Sequence, residues 1–362
     1  MPDKPIRICF VLDQVLQHYR VPLFSKLNKK GYDITICYPE WFKRKSPTLS
    51  ELDQELAASV KAIPLKNRKW LGLYYFGVKN LVKFDLVIFM QDLRVIDFWI
   101  TTLNPFRKQK LIHWGIGVSD FNNKNRLDIG IRNLVTTFAS SLILYSDEAK
   151  KLYSESNQNK IVVANNTIEN KESEDFSGEE KDSFLFIGSL DRRKGLKELV
   201  RTFSIYLEKA KSTDIRKLVI IGEGEMQQEI ENLTTNLGIR KNLYFTGAVN
   251  KDYLKKEFFK NAQLCISLKQ AGLSVLESFS YGVPFVTLKN SETGGERFNI
   301  RHEETGFLLE SEDELPELFH FSQKNRSKIE EMGTKAFRFY QEQRSMENMV
   351  QSFLKAIEYA MK

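Results

Sequence analysis

The chain has 362 residues, of which 42% are hydrophobic and 28% charged, which is enough for a globular protein of two ordinary domains. Its three cysteines are too few for a disulfide framework, and together with four scattered histidines they form no zinc motif. No apolar run approaches the roughly 18 residues of a membrane span, and the first residues lack the order of a signal peptide. We therefore expect a cytoplasmic protein with reduced thiols.

The positive charge is concentrated in the first half of the chain. The formal net charge is +7, made up of roughly +9 up to Asn170 and roughly −2 after it. A basic half is compatible with nucleic acid, an anionic membrane surface or a phosphorylated substrate. Because the sequence has no ordered basic motif of the kind that binds nucleic acid, we expect no nucleic-acid partner.

Two series of short apolar runs alternate with amphipathic segments of helix length. Continuous apolarity is typical of strands that are covered on both faces, and with helices between them such strands form parallel α/β sheets. The runs predict strands at 6–12, 33–38, 86–90, 111–114, 142–145, 161–163, 184–187, 218–221, 243–245, 264–267, 285–288 and 307–309.

An acidic segment separates the two series. Residues 167–183, TIENKESEDFSGEEKDS, contain almost nothing apolar, and we interpret them as an exposed linker. The expected fold is two Rossmann-like, doubly wound domains, residues 1–168 and 183–340, facing a cleft. The last residues, 341–362, are expected to form a helix that packs back on the first domain. Ligands of such sheets bind beyond the carboxyl ends of the strands, so the loops there are the candidate sites.

The first candidate loop is GSLDRRKG, residues 188–195. Three basic residues, Arg192, Arg193 and Lys194, precede a predicted helix that begins near Gly195. Cations beside a helix N-terminus can hold a diphosphate, because the unpaired N–H groups add to the charge of the side chains. The alternative is a solvated basic turn.

The second candidate loop is LKQAGLSVLESFSYGVPF, residues 268–285. The turn at Gly272 leads through Leu273 and Ser274 into a helix, so its amides can face the same anion. Glu277 and Ser274 fit an S-x-x-E capping box. The carboxylate could instead bind paired hydroxyls, as acidic residues do with a nucleotide ribose.

Taken together and in this order, the motifs between 184 and 309 resemble the nucleotide-sugar domain of glycosyltransferase family 4 (group 1), which comprises retaining enzymes of the GT-B fold. They are the strand and G-x-L-x-x-x-K-G loop, LVIIGEGE, LYFTGAV, GLSVLESFSYGVPFV and GGERFNIRHEETGFLL. The first half resembles the family more loosely, through FVLDQVLQHYRVPLF, FDLVIF and IVVANNTI. The GEG turn at 222–224 lacks the third glycine of a dinucleotide fingerprint, so we interpret it as a turn near the donor and not as NAD binding.

The resemblance implies roles for individual residues. Lys194, with Arg193 beside it, matches the diphosphate-binding lysine, and Glu277 matches the ribose-binding glutamate. The chain departs from the family twice, because Ser189 replaces the usual arginine and Lys269 replaces the glutamate that holds the donor sugar. The expected donor contacts are Gly188, Ser189, Arg193, Lys194, Gly222, Lys269, Gly272, Leu273, Ser274 and Glu277.

His113 in KLIHWGIG matches an active-site histidine of the family, at a strand end facing the cleft. The alternatives are a histidine that is hydrogen-bonded at the strand end, or a match further along the chain, at Gly115 or Ile116. With this histidine, Lys194 is the expected catalytic residue.

The resemblance further implies a hexosyl transfer from a UDP- or GDP-linked sugar to a glycan or lipid-linked acceptor, in the synthesis of bacterial surface polysaccharide or glycoconjugate. No D-x-D triplet occurs, so we expect no metal and no cofactor. Basic and aromatic residues in 64–77, PLKNRKWLGLYYFG, predict a peripheral contact with the anionic inner face of the cell membrane, unless a helix buries the aromatic rings. A nucleotide-sugar epimerase of the same fold and a catalytically degenerate donor-binding scaffold are the alternative functions.

Overall fold

The computed structural model describes residues 4–40, 59–118, 121 and 125–362. The described strands are β1 (Arg7–Val11), β2 (Asp33–Pro39), β3 (Lys61–Leu65), β4 (Arg68–Trp70), β5 (Leu73–Tyr75), β6 (Leu86–Met90), β7 (Lys110–Gly115), β8 (Ser141–Leu144), β9 (Ile161–Val163), β10 (Ser183–Ile187), β11 (Leu218–Ile221), β12 (Leu243–Gly247), β13 (Ala262–Ile266), β14 (Gln270–Ala271), β15 (Phe285–Leu288), β16 (Glu292–Thr293) and β17 (Gly306–Leu309). Each of the predicted strands is present, with ends shifted by at most two residues.

The described helices are α1 (Val21–Lys29), α2 (Ile96–Leu103), α3 (Arg126–Thr136), α4 (Asp147–Lys150), α5 (Glu155–Gln158), α6 (Leu196–Lys209), α7 (Gln227–Asn236), α8 (Asp252–Asn261), α9 (Ser274–Phe279), α10 (Leu315–Lys324), α11 (Arg326–Phe339) and α12 (Met346–Met361). Short 3-10 helices lie between them, and the one that matters for the site is Arg192–Lys194. A π-helix, Tyr340–Arg344, follows α11.

The chain divides into two compact units. The first comprises Met1–Glu169 and Met346–Lys362, with seven parallel strands in the order β3-β2-β1-β6-β7-β8-β9. The second comprises Asn170–Ser345, with six parallel strands in the order β12-β11-β10-β13-β15-β17. The prediction of two parallel, doubly wound α/β domains is confirmed.

Helix α12 belongs to the first unit, although the chain reaches it only after completing the second unit. Its Phe353 is fully buried, with its ring centroid 5.1 Å from that of Trp114 and 6.1 Å from that of Phe10. One face of the first sheet is therefore covered by the end of the chain.

The prediction of an exposed linker at 167–183 is wrong. Phe176 is buried and stacks on Tyr281 with ring centroids 6.2 Å apart, and the backbone N–H of Glu174 donates to the carbonyl of Ser280. One aromatic side chain in an otherwise acidic stretch helps to hold the segment against the second unit, because burying a phenyl ring contributes about 1.5–3 kcal/mol.

Candidate functional site

In the second sheet the strand order reverses between β10 and β13, which is where open α/β sheets bind ligands. The loops that follow these two strands touch one another. A Cβ on Gly195, whose φ is +71°, would lie 3.0 Å from Cγ of Lys269 and 3.2 Å from its backbone nitrogen. Glycine at 195 therefore lets the two candidate loops approach closely.

Lys194 lies at the centre of this contact and is only 8% exposed. A Cβ on Gly188 would lie 3.8 Å from its Nζ, and a Cβ on Gly272 would lie 3.5 Å from it, so the ammonium group is located between two glycines. Nζ makes no hydrogen bond or ion pair with the described residues and retains some contact with solvent. Burial lowers the pKa of Lys194 below its ordinary value, because few groups replace the water that would solvate its charge.

The side chain of Arg193, the residue before Lys194, is held by an ion pair. Asp191 accepts hydrogen bonds from the Arg193 backbone N–H (3.0 Å), from its guanidinium (2.6 Å) and from the Ser189 hydroxyl (2.9 Å). Burial acts to raise the pKa of Asp191, but these hydrogen bonds lower it below its ordinary value overall. Sequence reasoning did not single out Asp191, although an aspartate before three basic residues is a typical N-cap signal.

Gly222 packs against the backbone of the loop at 188–195. A Cβ at that position would lie 1.8 Å from the carbonyl oxygen of Gly188, and one on Gly224 would lie 2.4 Å from that of Leu190. The glycines of the GEG turn are therefore required by the packing of one backbone on another. Gly222 supports the loop in this way, and no side chain could occupy its place.

The capping-box interpretation of Glu277 is wrong. Leu273 occupies the N-cap of α9 without a side-chain bond, and the hydroxyl of Ser274 is buried without a partner. The carboxylate of Glu277 accepts a hydrogen bond from Nζ of Lys255, which also lies 3.0 Å from Asp252. Lys255 went unnoticed in the sequence because it is 22 residues from its partner.

Lys269 is half-exposed and forms an ion pair with Glu198 in the first turn of α6. The lysine that replaces the family's glutamate thus already has a carboxylate partner. Its charge is available to a ligand only if the ligand competes with Glu198 or binds beside the pair.

A third loop, after β15, contributes Glu296. Its carboxylate is buried, accepts from the backbone N–H of Gly294 at 2.9 Å and from the hydroxyl of Thr293 at 3.3 Å, and acts to raise the pKa of Lys194. The short β14–β16 pairing, with Ala271 opposite Thr293, holds this loop beside the turn at Gly272.

His113 does not end its strand, so that expectation is wrong. It lies inside β7 and is fully buried, with Nε2 3.1 Å from the hydroxyl of Thr102 and its ring centroid 4.8 Å from that of Phe98. Burial, with minor effects of Arg107 and Lys160, lowers the pKa of His113 to about 3. A neutral histidine in the core cannot touch a substrate in this conformation.

The first sheet reverses its strand order between β1 and β6, and the loop after β1 holds a second polar group there. Asp13 Oδ1 and Arg20 Nε are buried without hydrogen-bond partners. Burial raises the pKa of Asp13 despite the nearby Arg20 charge. Both residues belong to the segment FVLDQVLQHYRVPLF, through which the first half resembles the family.

Among the described residues, no group of three or more histidine, cysteine, aspartate or glutamate side chains could hold a metal ion. None of the described helices is both long and apolar enough to cross a bilayer.

Part of this chain is similar to known glycosyltransferases. Residues 167–338 match the family model described as glycosyl transferases group 1. A curated relative, an uncharacterized glycosyltransferase of Methanocaldococcus jannaschii, is 35% identical over 128 residues, which are 34% of this chain and 31% of that protein. The match thus spans about a third of the length of that relative.

Solved structures share the fold over nearly the whole chain. The glycosyltransferase of Rickettsia africae has a TM-score of 0.71 at 13% identity, covering 99% of both chains. The HepE protein of Anabaena, crystallised with UDP, has a TM-score of 0.69 at 12% identity, covering 98% of this chain and 99% of its own. The two parallel-sheet units are those of the GT-B glycosyltransferase fold.

Proposed function

We propose that this protein is a retaining glycosyltransferase that moves a hexose from a UDP- or GDP-linked donor to a glycan or lipid-linked acceptor. The observation that carries the proposal is Lys194, a residue only 8% exposed whose ammonium has no hydrogen-bond or ion-pair partner among the described residues and lies between two glycines at the reversal point of the second sheet. Burying an unpaired charge is unfavourable, so a site of this kind is stabilised when an anion binds. A diphosphate is the anion proposed, because glycine at 188 and 272 leaves Nζ of Lys194 free of neighbouring side chains on both sides.

In the proposed reaction, the bond between the anomeric carbon and the β-phosphate oxygen breaks, and the electron pair stays on the diphosphate. The acceptor hydroxyl forms the new bond to the anomeric carbon and gives its proton to the departing diphosphate. Lys194 opposes the negative charge that develops on the diphosphate, and such electrostatic stabilisation is usually the largest contribution to catalysis. No metal and no cofactor enters the proposal.

Glu277 is proposed to accept hydrogen bonds from the ribose hydroxyls. Its Oε1 is engaged by Lys255, whereas Oε2 accepts no hydrogen bond from the described residues. The ion pair fixes the carboxylate, which lowers the entropy lost when the ribose binds. Lys255 is thus a positioning residue for Glu277.

The acceptor is proposed to bind at the reversal point of the first sheet, where Asp13 and Arg20 have buried polar atoms without partners. His113 has no role in this proposal, because it is enclosed in the core. The product is proposed to be a bacterial surface polysaccharide or glycoconjugate, which is the class implied by the family resemblance.

Thermal unfolding with UDP, GDP, UDP-glucose and GDP-mannose tests the donor site. A nucleotide present at a hundred times its Kd stabilises the native state by about 2.7 kcal/mol, so the selected nucleotide raises Tm measurably. Lys194→Met should abolish this shift. Lys197→Met removes a lysine in the first turn of α6 that is 40% exposed and pairs with Glu229 of α7. This variant should preserve the shift.

The same panel separates the alternatives. Donor turnover without any acceptor would favour the epimerase, and donor binding without turnover across an acceptor panel would favour the scaffold. If no nucleotide shifts Tm, or if the shift survives Lys194→Met, the assignment of the site is wrong.

A further inference from the structure

Helix α2 carries apolar side chains on both faces. Its inner face is buried through Phe98, while on its outer face Ile100 is 60% exposed and Leu103 is half-exposed. Phe106, three residues after Leu103, is 88% exposed. A surface helix normally presents polar residues to water, and a helix that is apolar all round normally has a partner on each side.

The hairpin formed by β4 and β5 presents a second apolar group. Trp70 pairs with Leu73, so the turn consists of two residues, Leu71 and Gly72, with φ of +45° and +84°. Trp70 is 70% exposed and Leu71 is 82% exposed. Asparagine or aspartate normally fills the first position of such a turn, so a leucine held there in the left-handed region is unfavourable both for the backbone and for solvation.

Hydrogen bonds donated by the backbone at Tyr74 and Phe76 join the hairpin to the first turn of α2 and the residues before it. The N–H of Tyr74 donates to the carbonyl of Arg94 at 2.8 Å, and the N–H of Phe76 donates to the carboxylate of Asp97 at 2.6 Å. Tyr74 also forms an isolated bridge with Val95, the residue before α2. We name the exposed hairpin and helix residues, Trp70, Leu71, Leu73, Tyr75, Ile100, Leu103 and Phe106, the apolar face.

The surroundings of the apolar face are basic. Residues 59–118 contain ten lysines and arginines and three aspartates, a difference of +7. The three carboxylates are already engaged: Asp85 with Arg7, Asp92 with Arg94, and Asp97 with backbone N–H groups. Exposed cations therefore dominate, among them Lys66, Arg68, Lys69, Lys79, Lys83 and Lys108.

We propose that the apolar face, with the exposed cations around it, docks the protein on a membrane of anionic lipids. Tryptophan and leucine insert at the level of the headgroups, while lysines and arginines meet the lipid phosphates. A second copy of the chain is a poorer partner, because two faces of the same positive charge repel. The membrane contact predicted from residues 64–77 involves only the hairpin. The proposal adds the outer face of α2 to that contact. This inference does not rest on the donor site, which lies in the other unit.

Cosedimentation with vesicles tests the proposal, using phosphatidylcholine alone and phosphatidylcholine containing phosphatidylglycerol. Wild-type protein should bind only the anionic vesicles. Lys69→Glu should lower the partition coefficient about fivefold for each unit of charge, from about 1 kcal/mol per charge near the surface. Lys211→Glu makes the same change at an exposed lysine of the second unit and should have no such effect.

The apolar contribution is tested by Trp70→Ser and Ile100→Asn, each expected to lower anionic-vesicle binding at least tenfold. Ile205→Asn is the matched control, since Ile205 is similarly exposed on α6 of the second unit. All these positions are exposed, so each variant should retain the wild-type Tm and the nucleotide-induced Tm shift. That shift reports on the donor site independently of vesicle binding.

Three outcomes would overturn the proposal. Wild-type protein that ignores anionic vesicles contradicts it directly. If Lys69→Glu lowers binding but Trp70→Ser and Ile100→Asn do not, the protein is adsorbed by charge alone and the apolar face does not insert. A wild-type dimer in sedimentation velocity that Ile100→Asn converts to a monomer would identify the apolar face as an interface between copies.

Discussion

Replacing Lys194 with methionine should have opposite effects on activity and on stability. Methionine keeps the length and apolar stem of the side chain and removes only the charge. Lys194 is 8% exposed and its ammonium has no hydrogen-bond or ion-pair partner among the described residues, so the unliganded protein loses no ion pair in the exchange. A diphosphate, in contrast, loses the cation nearest to the two glycines.

The loss of activity follows from Coulomb's law. An ammonium about 4 Å from a phosphate oxygen, at an effective dielectric constant of about 20, interacts with about 4 kcal/mol. Removing one preorganised group that stabilises a developing charge typically costs about 2–4 kcal/mol, which corresponds to a fall in kcat/KM of about 30-fold to 1,000-fold. We expect Lys194→Met to fall in that range.

The effect on stability has the opposite sign. Because burial lowers the pKa of Lys194, the unfolded chain binds the proton more tightly than the folded chain. Wild-type stability therefore rises with pH in the window between the lowered pKa and 10.5. Lys194→Met lacks this dependence, so it should be at least as stable as wild type at pH 7, with a difference that narrows as the pH approaches 10.5.

The assay combines donor turnover with urea unfolding at pH 7 and pH 10, and Lys197→Met is the lysine control. Lys197 is more exposed and pairs with Glu229, so its loss should change turnover less than threefold. Turnover of Lys194→Met within threefold of wild type would refute the assigned role. Marked destabilisation of Lys194→Met at pH 7 would show that the ammonium has a structural partner after all.

Three further results are expected. In Gly222→Ala, at a φ of +142°, the new Cβ would lie 1.8 Å from a carbonyl oxygen. This variant should lose at least about 1–3 kcal/mol of stability and also donor binding, measured by thermal unfolding and nucleotide binding. Gly130→Ala, which has open space around the new Cβ, should lose neither in the same assays. The pKa of His113 is about 3 in the folded protein and about 6.5 in the unfolded chain, so between pH 7 and pH 5 the wild-type histidine takes up a proton only on unfolding. Over that range the stability of His113→Gln, measured by urea unfolding, should therefore fall by about 2 kcal/mol less than that of wild type. Lys255→Met should destabilise the protein by about 1–3 kcal/mol, because it leaves the largely buried Glu277 carboxylate without its ion-pair partner. Adding Glu277→Gln should restore much of this stability without restoring donor binding, and a double variant no more stable than the single one would contradict the pairing.

The sheets were predictable because their strands are buried on both faces. Runs such as 86–90 and 184–187 are apolar at every position, which few other structures require, and their spacing left room for one helix between neighbours. The loops that follow them were predictable for the same reason. Lys194 was found because a basic run follows the glycine that ends β10.

The partners of side chains were not predictable in the same way. A strand covered on both faces has no alternation to show which side a residue faces, so the burial of His113 left no trace in the sequence. The Lys255–Glu277 pair joins two helices, and its 22-residue separation has no local signature. Phe176, one aromatic ring in an acidic segment, reversed the interpretation of that segment.

The free ammonium of Lys194 is explained by what its neighbours do. Three carboxylates, Asp191, Glu296 and Glu292, act on it electrostatically. The two with the larger effects are held by other donors: Asp191 by Arg193 and Ser189, and Glu296 by the backbone of Gly294. Either carboxylate, if released, could neutralise the lysine and remove the reason for an anion to bind. The hydrogen bonds that restrain Asp191 and Glu296 therefore help to keep the site positive and open to a phosphate.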